Sequence, residues 1–161
     1  MDKKELKEIL RKHQLWLNSN WLSGECADLS GADLSGANLS TVNLVDAKFT
    51  KANLMGANLS EANLIRADLT SANLIGADLN FSNLIMAKLS DTNLSGADLT
   101  DANLSGANLA GANLSYADLT DANLTGADFS EANLRKAKLT YANLRQANFT
   151  GANLDEVKVK K

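Results

Sequence analysis

The residues that most often carry chemistry are scarce in this chain of 161 residues. Cys26 is the only cysteine, so no disulfide can close within the chain. His13 is the only histidine, which leaves no Cys/His cluster for zinc and no Ser/His/Asp set. No glycine-rich loop precedes a helix in a way that would cradle phosphate. Aromatic residues make up only 5% of the chain. No apolar segment approaches the ~20 residues of a membrane span. No N-terminal stretch combines a basic start, an apolar run and a cleavage site, so a cytoplasmic location and no membrane partner are expected. A net charge of −3 argues against generic nucleic-acid binding. These shortages predict a protein that is not an enzyme and that holds no cofactor, metal or small-molecule substrate.

What the chain has instead is one phrase of five residues, repeated from Ala27 to Leu154 without insertion or deletion. The centre of each phrase is Leu, or Phe at Phe49, Phe129 and Phe149, and the frame holds 26 repeats. Ala stands two places before each centre except at Val42, Ser82 and Thr92, and the residue between is always Asn, Asp or Lys. Small-in, polar-out, large-in is a period of two, the mark of a very short strand with one buried face. A helix is excluded, because a period of five against 3.6 residues per turn would wind the leucines around the whole cylinder. The two variable positions after each centre are rich in Ser, Thr, Gly and Asp and read as a corner, with the ten glycines as its turn residues. A gapless short period of this kind predicts a solenoid whose units are stable only against their neighbours.

The phrases "GADLSGANLS" at Gly31 to Ser40 and "GADLTDANLSGANLAGANLS" at Gly96 to Ser115 resemble the pentapeptide repeat family. The resemblance implies an all-β solenoid, a right-handed quadrilateral β-helix with four repeats per coil. It further implies that the Leu/Phe and Ala positions point inward and that residues twenty apart lie above one another. The three Phe centres obey that register, since their numbers differ by multiples of twenty. At ~4.8 Å between coils, about 6.5 coils give a rod of roughly 31 Å.

Residues 1–22 break the pattern and form a separate capping helix and linker ahead of the solenoid at 23–161. Leu6, Ile9, Leu10, His13, Trp16 and Leu17 recur at helical spacing, opposite a charged side. This predicts an amphipathic helix from about Lys3 to Asn18, with Asp2 and Glu5 resembling a capping box. Placed over the first coil, the helix with Trp16, Trp21 and Leu22 would shield an open edge that invites association. His13 reads as a packing or hydrogen-bonding group and Cys26 as a bystander. At the other end Val157 and Val159 continue the inward positions.

Folding the sequence onto four faces leaves two candidate surfaces. Asp78, Asp98 and Asp118 stack on one face, with Asp101 and Asp121 at the next corner, and Lys138 and Lys158 continue the column. The adjacent face stacks Val45, Ile65 and Ile85, with Phe81 and Met86 at flanking corners, while Met55 and Ile75 form a smaller pair opposite. Exposed apolar clusters of this kind mark binding surfaces. Outward Asn columns along two faces, such as Asn43, Asn63, Asn83, Asn103, Asn123 and Asn143, predict structural amide ladders. The leading expectation is a non-catalytic scaffold for a protein partner, as a monomer or as a weak dimer through a solenoid end or the apolar face. The alternative implied by the resemblance is a DNA-mimic modulator of DNA gyrase or another type II topoisomerase, acting through the acidic face. Duplex DNA of ~31 Å carries about 18 charges, whereas residues 22–161 sum to −5. Direct nucleic-acid binding is not expected.

Overall fold

The computed structural model describes residues 1–160. One helix, α1 (Lys3–Asn18), precedes the repeats, in the place that the spacing of Leu6, Ile9, Leu10 and His13 predicts. Asp2 caps it by accepting from the backbone N–H of Lys4 and of Glu5, each at 2.8 Å. Among the described residues Glu5 does not return the bond, so this is a one-sided cap and not a capping box. A connector from Ser19 to Cys26 turns the chain onto the first coil, and Gly24 sits at its tightest point. A Cβ there would collide with the carbonyl oxygen of Lys12 and lie 2.7 Å from the amide of Trp16, with φ at +81°. Only glycine fits.

From Asp28 onward each outward Asn, Asp or Lys forms an isolated parallel bridge to the residue twenty places on, from Asp28 with Lys48 to Lys138 with Lys158. Three bonds per repeat knit successive coils. The Leu29 N–H donates to the Lys48 carbonyl at 2.7 Å, the Lys48 N–H to the Ala27 carbonyl at 2.9 Å, and the Gly31 N–H to the Thr50 carbonyl at 2.9 Å. The pattern recurs along the rod, so three of the five backbone N–H groups in each interior repeat are bonded to a neighbouring coil. The strands are thus single bridging residues between turns, shorter than a three-residue alternation suggests.

The centres and their preceding alanines are buried almost without exception from Ala27 to Leu139. Two of the three departures from Ala keep their hydroxyls satisfied: Ser82 Oγ donates to the Leu79 carbonyl at 2.6 Å, and Thr92 Oγ1 to the Leu69 carbonyl at 2.8 Å. The twenty-residue register also brings Phe129 and Phe149 into a stack, with centroids 5.0 Å apart and planes 7° from parallel. In the last described coil Leu144, Phe149, Leu154, Val157 and Val159 line the end of this core.

The corners carry a backbone demand that the composition hides. Each is closed by an N–H to C=O bond three residues back, as from Ala32 to Leu29 at 3.1 Å. At its third position the chain is left-handed in all 26 repeats, with φ between +54° and +71°. That is the geometry a type II turn requires. Nine of the ten glycines stand there, and Gly24 belongs to the connector. The other 17 corners place a residue with a side chain in this region.

The cap differs from expectation in its details. Leu6, Ile9 and Leu10 pack against the core and His13 is buried beside them. Trp21 is 64% exposed and Leu22 88%, so neither covers the first coil. Asn20 and Trp21 both take positive φ, which turns the connector outward at that point. Trp16 stays on the cap, stacked on His13 at 5.6 Å.

Candidate protein-binding corner

The bridges put Asp78, Asp98 and Asp118 directly above one another. All three are half-buried, because each turns one carboxylate oxygen back to accept the N–H two residues on: Asn80 at 3.1 Å, Thr100 at 2.9 Å and Thr120 at 3.1 Å. Part of each carboxylate is therefore spent on holding a turn. Asp118 also accepts from Lys138 Nζ at 2.7 Å. Partial burial pushes its carboxyl up, but bonds from Lys138 and Thr120 outweigh this and hold it below the usual carboxylate range. The Lys138 ammonium is raised in turn, first by its bond to Asp118. The free end of the acidic column is thus Asp78 and Asp98, which carry no ion pair among the described residues.

The exposed acids of this region lie at the next corner. Asp101 and Asp121 occupy left-handed positions there, in one column with Glu61 and Phe81. The column is fixed by successive coil-to-coil bonds: Glu61 N–H to the Asn80 carbonyl, Phe81 to Thr100 and Asp101 to Thr120. The sequence places the acids and the apolar cluster on adjacent faces as separate surfaces. The structure joins them, because Phe81 stands in the acidic corner column and is 60% exposed.

The apolar side is less open than expected. Val45, Ile65 and Ile85 are half-buried, which corrects their reading as an exposed stack. The accessible part is Phe81 and Met86, each 60% exposed at φ of +54° and +57°. Met86 leans along the rod, with Sδ 3.2 Å from where a Cβ on Gly106 would be. Met55 and Ile75, the smaller pair, are exposed as well.

Two features escaped the sequence reading. Arg66 donates to both oxygens of Asp46 at 2.7 and 2.6 Å, a fork beside Ile65 that the twenty-residue spacing of the two residues could have revealed. Opposite charges also alternate up another face: Lys48 lies 3.8 Å from Asp28 and Lys88 3.8 Å from Asp68. Of the two faces that carry outward Asn columns, the amide ladder forms on the one through Asn53 and Asn133. Asn73 donates to Asn53 at 3.1 Å, and Asn113 to Asn93 and Asn133 to Asn113 at 3.3 Å. The Asn43 column instead accepts from backbone two residues on, as from Val45 and Ile65 at 3.4 Å. No cluster of three or more His, Cys, Asp or Glu among the described residues could hold a metal ion, and no helix is long and apolar enough to cross a membrane.

Comparison with known proteins agrees with this architecture. The sequence profile described as "Pentapeptide repeats" matches residues 25–60, 52–91, 87–126 and 127–161. No curated protein is matched by the chain. Among solved structures, a pentapeptide repeat protein from the thylakoid lumen of Arabidopsis thaliana is 37% identical over 66% of this chain and 70% of its own, with a TM-score of 0.50. QnrB1, described as a plasmid-mediated fluoroquinolone resistance protein, is 24% identical over 84% of this chain and 79% of its own, with a TM-score of 0.58. The latter likeness is one of fold alone. With its five-residue frame, its coil-to-coil bridges and a family match over most of its length, the chain belongs to the pentapeptide repeat family.

Proposed function

We propose that this chain is a non-catalytic scaffold that binds a protein partner at the corner of Phe81, through a segment carrying both basic and apolar side chains. One observation carries the reading. Phe81 and Met86 are large apolar residues held well exposed at left-handed corners where nine other repeats have glycine. A side chain there costs about 1–2 kcal/mol, and since 17 of the 26 corners bear that cost, it is the exposed apolar bulk of Phe81 and Met86 that points to a use outside the fold. The chemistry of the partner follows from the surroundings: Glu61, Asp101 and Asp121 share the corner column, and Asp78 and Asp98 flank it. An apolar anchor in a field of carboxylates favours a basic segment with an aliphatic or aromatic residue. Four corners for every twenty bridged residues support a four-sided cross-section, and we take the rod to be right-handed with about 6.5 coils.

The topoisomerase reading needs a long acidic surface. Here the acidic column stops where Lys138 bonds Asp118, and Lys158 stacks on Lys138. The contact surface is therefore local to the middle of the rod. Affinity capture from the host's lysate would compare the unmodified chain, Phe81→Gly with Met86→Gly, and Ser71→Gly at the opposite corner. A partner held by the first and third baits and lost from the second is expected. Identical partner sets on all three baits would reject the corner as the binding surface.

A further inference from the structure

His13 is 1% exposed, at the junction between α1 and the first coil. Its Nδ1 accepts the backbone N–H of Ala27 at 3.1 Å, the residue that opens the repeats. A ring nitrogen that accepts cannot also carry the proton, so the neutral ring holds its hydrogen on Nε2. That atom has no hydrogen-bond partner among the described residues. The other face of the ring stacks on Trp16, whose indole in turn lies 6.1 Å from that of Trp21. This one imidazole thus ties the cap to the solenoid by an acceptor contact that exists only in its neutral form.

The surroundings give a protonated ring little support. On α1 the nearby cation is Lys12, bonded to Glu25 of the connector at 3.1 Å. Cys26 of the connector is a thiol pushed up by its own burial. On the first coil the acid is Asp46, and Arg66 occupies both of its oxygens. An imidazolium in this position would set an N–H donor against the Ala27 N–H and bury a charge whose only nearby counter-ion is already paired. Burial accordingly lowers the ring's affinity for a proton below the ordinary value of 6.5, with Asp46 opposing the shift more weakly.

We infer that His13 is a proton-operated latch: the neutral ring holds α1 on the first coil, and protonation releases the helix. A lowered value in the folded state means that the closed form binds the proton less well than the open form. The latch contributes fully above the ordinary histidine value and is lost as pH falls below it. Release uncovers the apolar face of Leu6, Ile9 and Leu10 together with the outer edge of the first coil, where Asp28 and Asp33 meet no coil below. Such an edge is open to pairing with another chain.

The composition makes the test clean, because His13 is the only histidine and Trp16 and Trp21 are the only tryptophans. The full chain would be followed from about pH 7.5 to about pH 5 by tryptophan emission, by far-ultraviolet circular dichroism and by the His13 Cε1–H proton resonance. The expected result is a His13 midpoint below 6.5, with a red shift of emission at the same midpoint and a constant circular dichroism signal from the solenoid. His13→Asn, whose Oδ1 accepts in place of Nδ1 and does not titrate, should keep its emission constant. A His13 midpoint at or above 6.5, a resonance that does not titrate above about pH 5, emission that fails to follow the resonance, or the same red shift in His13→Asn would each overturn the latch. Should His13→Asn not fold, the two midpoints in the unmodified chain decide.

Discussion

Replacing Phe81 with glycine should make the rod more stable while it weakens binding, the reverse of what removing a large apolar residue from a protein usually does. Phe81 is 60% exposed and its backbone has φ of +54°, so the larger part of the residue forfeits no burial and the left-handed strain is relieved. That strain is worth about 1–2 kcal/mol for a residue with a Cβ. Glycine gives back roughly 0.5–1 kcal/mol through the greater freedom of its unfolded chain. The net gain is at most about 1.5 kcal/mol and centres near ~0.75 kcal/mol, or on the order of 2–3 °C in Tm for a chain of this size. Phe81→Ala keeps the strain and loses the ring's contacts, so it should be neutral or slightly destabilising. Urea unfolding followed by circular dichroism, run on both variants and on Ser71→Gly, separates the two effects. Ser71 has φ of +57° on the opposite corner and should show the same gain with no loss of partner. If Phe81→Gly were no more stable than the unmodified chain, the ring would be packing against the rod and the case for a surface kept for a partner would fail.

Three further perturbations probe the rod. Leu84→Ala, in the fully buried core, should cost about 2–5 kcal/mol by cavity formation, whereas Leu154→Ala in the last coil, where Leu154 is exposed, should cost roughly 1 kcal/mol or less in the same urea titration. Asn113→Ala removes a bond to Asn93, a bond from Asn133 and the cap on the Ser115 N–H, and should lower stability by about 1–2 kcal/mol. Asp68 is held below its ordinary 3.8: burial pushes it up, but bonds from Thr70 and the charge of Lys88 prevail. Its contribution is therefore present above that value and lost as pH falls through the lower folded one, so Asp68→Asn should be less stable than the unmodified chain at neutral pH, with the gap closing in acid.

The core was legible because its constraint falls on side chains. An inward position between two coils accepts Leu, Phe or Ala and little else, so Leu29 to Leu154 announce themselves with a fixed period. The register was legible for the same reason: the large ring of Phe129 needs room in the coil above, and Phe149 is there. The corners impose a constraint on the backbone, which leaves a fainter trace. Glycine satisfies it without strain, but Asp101, Phe81 or Tyr141 can be forced to comply by the coils on either side, so 17 of 26 corners conceal the rule. The visible sign was positional: wherever glycine enters a repeat, it stands at the second place after the centre and nowhere else.

The site was misread in part for a related reason. Letters assign Ile65 and Ile85 to an outward place, but each is half covered there, whereas Met55 and Ile75 at the same place in other repeats are exposed. Phe81 and Met86, at left-handed corners, are each 60% exposed, more than any outward apolar residue beside them. The same distinction applies to the acids: Asp78 and Asp98 bend back to cap their own turns, while Asp101 and Asp121 stand clear of the rod. On this scaffold a corner side chain that makes no bond to the neighbouring coil, unlike Arg66 on Asp46, is the one most available to a partner. Such a corner is therefore the position to inspect first when function is sought in a chain of identical repeats.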